Sequence, residues 1–167
     1  MSGPEAVALL RSELAHDVQL IKENYRKNRE MTTRIEQGTR EDEFEYAALG
    51  YTLHNLYTAF EAYFVRVAKF FENQLDETGW HKSLLDRMTL DVPDVRPALL
   101  RADTAEKLRE LLQFRHVFRN LYKSRLIPEK VLWANNAARG LPEEFEPQHQ
   151  AFDAFLVDLS SRMDSHE

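Results

Sequence analysis

The side chains best suited to phosphate chemistry lie together in residues 114–122, where Arg115, His116, Arg119 and Asn120 precede Tyr122. Apolar residues alternate with them at helical spacing, which predicts a helix that buries one side and presents the other. On an ideal helix, Arg115, Arg119 and Tyr122 lie within roughly 60° of one another. Such a pattern also fits an ordinary amphipathic helix with a solvated basic face, but the order of the polar residues favours a site.

Cleavage of RNA without a metal ion is the chemistry that these residue types fit. It needs a group to take the proton of the ribose 2′-hydroxyl, a group to protonate the departing 5′-oxygen, and a cation to stabilise the charge on the phosphorane. Histidine suits the proton transfers because its pKa lies near neutral pH, and arginine suits the phosphate through its fork of donors. Arg115 and Arg119 are therefore candidate phosphate ligands, and His116 is a candidate proton carrier. Asn120 can hydrogen-bond an oxygen but cannot carry a proton at neutral pH.

Composition removes several other kinds of site. The chain of 167 residues has no cysteine and a formal net charge of −6, which excludes thiol nucleophiles and disfavours non-specific coating of nucleic acid. None of its 6 histidines stands at a paired metal-ligand spacing with an acid. The chain also lacks a Gly-rich phosphate loop and a nucleophile elbow. We therefore expect no metal site and no cofactor.

The sequence gives no sign of a membrane segment or a signal peptide. It has no apolar run of about 18 residues, the length that indicates a membrane-spanning helix. The N-terminus lacks a basic region, and Arg11 interrupts the first apolar run. We expect a cytoplasmic protein.

Helical periodicity runs through most of the chain, and its 5 Gly and 6 Pro leave few interruptions. We predict an all-α, up-and-down bundle of four main helices plus short helices, forming a single domain over residues 1–167. The main helices are predicted at about residues 4–35, 40–75, 103–126 and 148–163, and the short ones at 79–88 and 128–139. A wide aromatic band on the second helix requires partners on more than one side, and one partner could be a second copy of the chain.

Three local expectations follow from the same patterns. The polar end of the first helix, residues 25–34, is expected to project beyond the core. The helix that carries Arg115 is expected to begin with a capping box at Asp103 or Thr104 and to end near Leu126. The glutamate-rich residues 143–146 are expected to form an acidic linker.

Three stretches, in the same order along the chain, resemble the HepT-like ribonuclease toxins of the HEPN superfamily. The first surrounds His54 and Glu61, the second is the Trp-His pair at 80–81, and the third is 115–122. The resemblance covers about residues 50–130 and implies a HEPN-like helical bundle.

In the third stretch, the family pattern is an arginine, a polar residue, a spacer, a histidine and then a tyrosine two places later. Arg115, His116 and Tyr122 match the arginine, polar and tyrosine positions, but Asn120 stands at the position of the histidine. This departure bears directly on catalysis, because the histidine is the residue that would transfer protons.

The resemblance implies the toxin component of a toxin–antitoxin system, a metal-independent endoribonuclease with RNA, tRNA among the candidates, as its substrate. It also implies a homodimer whose site lies at the dimer interface. The implied partner is an MntA-like nucleotidyltransferase antitoxin, which attaches AMP to the tyrosine that follows the histidine position of the pattern, here Tyr122. AMP there would place negative charge beside Arg115 and Arg119 and block the cleft. The alternative for Tyr122 is a buried core tyrosine.

Asn120 leaves two interpretations open within the family. In one, His116 or His54 from either subunit supplies the missing acid–base group, and the protein is a weakened or altered ribonuclease. In the other, the chain has lost cleavage and serves as an RNA-binding or regulatory subunit. His54 and Glu61 share a helix face, which also fits a histidine satisfied by a carboxylate inside the bundle. Outside the family, the chain could be a non-enzymatic adaptor that dimerises through the aromatic band and binds independently of Arg115.

Overall fold

The computed structural model describes residues 3–38, 42–72, 80–121 and 125–165, with the backbone alone for residues 80–82. Its helices are α1 (Pro4–Gln37), α2 (Glu43–Glu72), α3 (Trp80–Met88), α4 (Ala102–Arg119), α5 (Pro128–Ala138) and α6 (Leu141–Asp164). These residues contain no strand, only an isolated bridge between Val92 and Arg96. The predicted all-α class, with four long helices and shorter ones between them, is confirmed. None of the described helices has both the length and the apolar character needed to cross a bilayer.

The central helix is α2, which packs against α1, α3, α4 and α5. Tyr57, Phe60, Tyr63 and Phe64 of its aromatic band are buried. The rings of Phe60 and Tyr63 lie edge-on to Phe145 of α6, with centroids 5.4 and 5.1 Å away. Burying each large apolar side chain stabilises the fold by roughly 1.5–3 kcal/mol. Helices of the same chain therefore cover the band, so a second copy is not needed there and the band is not an open face for dimerisation.

The polar end of α1 packs into the bundle, and the expectation that it projects beyond the core is wrong. Asn28 is buried and donates from Nδ2 to Oδ1 of Asn135 in α5 at 2.8 Å and to Oγ1 of Thr52 in α2 at 3.0 Å. Asn135 donates in turn to Oγ1 of Thr32 at 3.1 Å. Apart from Oδ1 of Asn28, which has no partner among the described residues, the polar atoms of these side chains pair with one another instead of facing water. The network holds α1, α2 and α5 in one register.

Residues 143–146 belong to α6 and are not a linker. Gly140 precedes the helix with a φ of 71°, and Pro142 lies in the first turn, where the missing N–H of proline has no helical partner to lose. Phe145 is 1% exposed and belongs to the core. The boundary predicted near Pro147 was wrong, because this proline lies inside α6 on its exposed side, at the loss of one backbone hydrogen bond.

The bounds of α4 also differ from the prediction. The helix begins at Ala102, and its N-cap residue is Arg101, so the predicted capping box is not used. The backbone N–H of Arg101 instead donates to Oε1 of Gln148 in α6 at 2.7 Å. The helix ends at Arg119, seven residues before the predicted end. A side chain from another helix thus replaces the local cap that the sequence suggested.

Phe145→Ala should lower the free energy of unfolding by about 3–5 kcal/mol, because it removes a buried ring that contacts three aromatic residues of α2. Urea unfolding followed by circular dichroism measures the change. Leu9→Ala is the control, since Leu9 is 48% exposed and its truncation should change stability by no more than about 0.5 kcal/mol. Equal small losses in both variants would contradict the placement of Phe145 in the core.

Candidate functional site

One ion pair holds the polar side of α4 against α2. Arg115 donates from Nη1 to Oε1 of Glu61 at 3.0 Å, and the two side chains are only 14% and 10% exposed. The guanidinium carbon of Arg115 also lies 5.6 Å from the centre of the Tyr57 ring. A charge so far removed from water needs its partner, because the unpaired ion would be strongly destabilising. Arg115 is therefore held in one position and does not lie on a solvated face.

His54 occupies the same face of α2, beside the ion pair. Its ring meets Phe118 of α4 edge-on, with centroids 6.2 Å apart. Its Nδ1 is shielded from solvent and has no hydrogen-bond partner among the described residues. Burial, and then the charges of Arg115 and Arg119, lower the pKa of His54. His54 makes no hydrogen bond to Glu61, so it is not the histidine satisfied by a carboxylate that the sequence also allowed.

A close approach of α2 and α4 at Gly50 brings Phe118 to His54. A Cβ atom at position 50 would lie 2.8 Å from Cε2 of Phe118 and 3.2 Å from Cζ of Phe114, closer than normal packing allows. Glycine is the residue that permits such an approach between backbone and ring. The last two turns of α4 can therefore lie against the face of α2 that carries His54.

Only part of the basic tract in residues 107–125 is open to solvent. Three of its cations form ion pairs with acids: Lys107, Arg109 and Arg115. Arg119 and Arg125 are exposed, and neither has a carboxylate partner in the described parts of the chain. Among the described residues of this tract, the cations that are both exposed and without an acid partner therefore lie at the C-terminal end of α4 and just beyond it.

Neither His116 nor Asn120 takes part in the ion pair of Arg115 or in the ring contact of His54. His116 is exposed and follows Arg115 by one position, which places the two roughly 100° apart around the helix. Asn120 is the C-cap residue of α4, and its Nδ2 donates to the backbone carbonyl of His116 at 2.8 Å. Its amide thus satisfies one of the carbonyls left open at a helix end. Tyr122, and the side chains of the Trp-His pair at 80–81, lie outside the described residues.

The structure thus brings four of the candidate residues together, namely His54, Glu61, Arg115 and Arg119. Sequence reasoning missed Tyr57, whose ring supports Arg115 and whose hydroxyl is buried without a partner in the described part of the chain. Burial, and then the nearby Glu61, raise the pKa of that phenol, which stays neutral. Its spacing from His54 and Glu61, one turn from each, was the signal that could have identified it.

Metal chemistry has no support in the described residues, where no three His, Asp or Glu side chains lie close enough together to hold an ion. The cluster offers a fixed cation, an exposed cation and an imidazole between two helices. This combination can bind a phosphodiester and move a proton beside it.

Glu61→Gln should destabilise the protein by about 3 kcal/mol, because it leaves Arg115 largely buried without a counter-charge. The amide has nearly the shape of the carboxylate, so urea unfolding reports the charge and not a cavity. The control is Glu30→Gln, whose partner Arg26 is exposed, and which should cost about 0–1 kcal/mol. If both variants unfold alike, Arg115 is not held by Glu61.

Comparison with known families places this site in context. The family described as HepT-like protein matches residues 48–156. No curated protein and no solved structure matches the chain. The matched range covers more than half of the sequence and contains α4, α5 and most of α2 and α6, so it includes every residue of the cluster. The chain belongs to the HepT-like family.

Proposed function

We propose that this HepT-like protein is the toxin component of a toxin–antitoxin system and acts as a metal-independent endoribonuclease. The observation that carries the proposal is the position of Arg115, held by Glu61 over Tyr57 with His54 beside it. Exposed Arg119 lies one turn further along the same side of α4. The cluster therefore offers the phosphate-binding cations and the titratable group that cleavage of RNA needs.

RNA would approach from the open end of α4. Arg119 and Arg125 are exposed cations there, whereas the chain as a whole carries a net charge of −6. An acidic protein with a local basic surface binds the backbone of its RNA at a few phosphates, and such binding weakens with salt in proportion to the phosphates contacted. tRNA is the proposed substrate class.

A second copy of the chain is the proposed partner at the outer face of α2. Phe44 and Tyr51 are 82% and 61% exposed and lie seven residues apart, so they form one stripe that continues through Asn55 and Thr58. The stripe lies roughly 80–100° around α2 from the face that carries His54. A homodimer formed through this stripe would place two clusters at the border of one interface.

An MntA-like nucleotidyltransferase is the proposed antitoxin, with Tyr122 as the acceptor of AMP. This part of the proposal rests on family membership and on the position of Tyr122 in the sequence, three residues after Arg119. An attached AMP would bring negative charge and bulk to the exposed cations at the end of α4. RNA phosphates would then be excluded from the surface that binds them.

Asn120 favours a second candidate, an RNA-binding subunit that has lost cleavage. Its amide serves as a helix cap through the bond to the carbonyl of His116, and an amide does not transfer protons at neutral pH. The two candidates share the RNA surface at Arg119 and differ only in whether the bound strand is cut.

Cleavage of a mixed tRNA pool in the presence of EDTA separates the two candidates. The purified chain should cut, and Arg115→Lys should cut on the order of 10²–10³-fold more slowly, because lysine keeps the charge beside Glu61 but loses the planar fork. Arg26→Lys, on the exposed face of α1, is the control and should cut normally. A parent that binds tRNA without cutting it, together with an Asn120→His variant that cuts, would establish the inactive subunit instead.

Size-exclusion chromatography with light scattering tests the proposed dimer. Tyr51→Glu should convert the dimer to a monomer, because a charge would be buried in the middle of the proposed interface. The matched control is Val157→Glu, at an exposed apolar position of α6 that is 43% exposed. A parent that is monomeric, or a dimer that survives Tyr51→Glu, would contradict this interface.

A further inference from the structure

We propose that His54 is the catalytic base of this site and takes over the role left open by Asn120. The inference rests on the proposed ribonuclease function and deepens it by naming the residue that removes the proton of the ribose 2′-hydroxyl. Its basis is the placement of His54 between two helices, beside the residues that would hold the phosphate.

Two buried polar atoms without a partner among the described residues lie at this point of the fold. Five buried side-chain polar atoms lack a hydrogen-bond partner among the described residues, and two of them, Nδ1 of His54 and the hydroxyl of Tyr57, lie one turn apart beside Arg115. Buried polar groups are normally satisfied, so a pair of exceptions at one place calls for a functional explanation. If the site served packing alone, apolar residues at positions 54 and 57 would be buried at a lower free-energy cost.

The geometry of the ring fits a base that faces the solvent. Nδ1 of His54 is closed off from water, whereas Nε2 is not among the buried atoms that lack a partner, and it makes no hydrogen bond to described residues. Nε2 is therefore the nitrogen open to a ligand. Contact with Phe118, which the close approach at Gly50 allows, limits the orientations of the ring. A base held in one orientation is what proton transfer requires.

The charged groups that act on His54 come from α4. Arg115 and Arg119 both disfavour the imidazolium, and burial acts in the same direction, so the pKa of His54 is lowered. On its own helix, Glu61 is already paired with Arg115, and Tyr57 is neutral because burial raises its pKa. A histidine with a lowered pKa is unprotonated at neutral pH and can accept a proton.

The two other candidates fit this role less well. His116 is exposed and lies on a different side of α4 from Arg115. Asn120 is engaged with the carbonyl of His116 and cannot accept a proton at neutral pH. Of these three residues, His54 alone lies on the facing helix, where the charges of both Arg115 and Arg119 act on it.

The step is a transphosphorylation. Nε2 of His54 takes the proton of the 2′-hydroxyl while the 2′-oxygen bonds to phosphorus, and Arg115 and Arg119 bind the phosphate oxygens. The bond between phosphorus and the 5′-oxygen breaks, and the 5′-oxygen takes a proton from water. The hydroxide that remains is neutralised by the proton that His54 releases. The products are one RNA with a 2′,3′-cyclic phosphate and one with a 5′-hydroxyl.

The test compares His54→Gln and His54→Asn with His116→Gln and with the parent, using His16→Gln at an exposed position of α1 as the control. Cleavage is measured on a short RNA, and binding is measured by anisotropy on the same sequence with 2′-deoxyribose, which cannot be cut. The His54 variants should cut about 10²–10⁴-fold more slowly and bind as tightly as the parent. His16→Gln should match the parent in both measurements. The parent rate should fall with acidification below about pH 6.5, because protonated His54 cannot act as a base.

Each outcome separates this proposal from the wider one. If folded His54 variants cut at the parent rate, or if His116→Gln alone abolishes cleavage, His54 is not the base although the ribonuclease function stands. If the parent binds the deoxy analogue but cuts no RNA, both the ribonuclease function and this assignment fail. If neither His54 variant shows a cooperative thermal transition, the parent pH profile decides, and a rate that is flat from about pH 5 to 7 overturns the proposal.

Discussion

The ion pair between Arg115 and Glu61 is the constraint on which the site depends. It joins the middle of α2 to the C-terminal half of α4 where both side chains are almost removed from water. At such a position neither charge can leave its partner without a large desolvation penalty, so the two helices keep one register. About three turns nearer the N-terminus of α2, Gly50 allows α4 to approach closely because it leaves room for the ring of Phe118. The orientation of His54 follows from these two contacts.

Stability and positioning come from different parts of this fold. The aromatic band of α2 is covered by Phe145 and by α1. Its burial stabilises the fold but is non-directional, so it does not by itself fix the alignment of the helices along one another. The polar contacts are directional and set the register: Asn28 with Asn135 at one side of the bundle, and Arg115 with Glu61 at another. A buried ion pair adds little net stability, so its presence in this bundle is better explained by what it positions.

The sequence predicts elements with a regular apolar stripe well and predicts contacts between helices poorly. The stripe of α1 and the prolines and glycines around α3 and α5 gave bounds close to those observed. Pro147 suggested a helix start that is not observed, because burial of Phe145 in α6 outweighs the one backbone hydrogen bond that the proline removes. The polar end of α1 was wrongly predicted to project from the core, because its partner, Asn135, is more than a hundred residues away in the chain. Such tertiary partners leave no trace in local periodicity.

The same distinction applies to the candidate site. The residue spacing correctly predicts that His54 and Glu61 share one face of α2, and the sequence shows the polar residues of α4 as a group. Only the fold shows that Arg115 faces inward while His116 is exposed to water. The family pattern puts its proton carrier on the same helix as its arginine. In this chain α4 ends at Arg119, and the residue at the histidine position caps that end. The imidazole of His54 on α2 lies beside Arg115 and Arg119. The site can therefore combine phosphate-binding cations with a proton acceptor, although α4 ends in an asparagine at the histidine position of the family pattern.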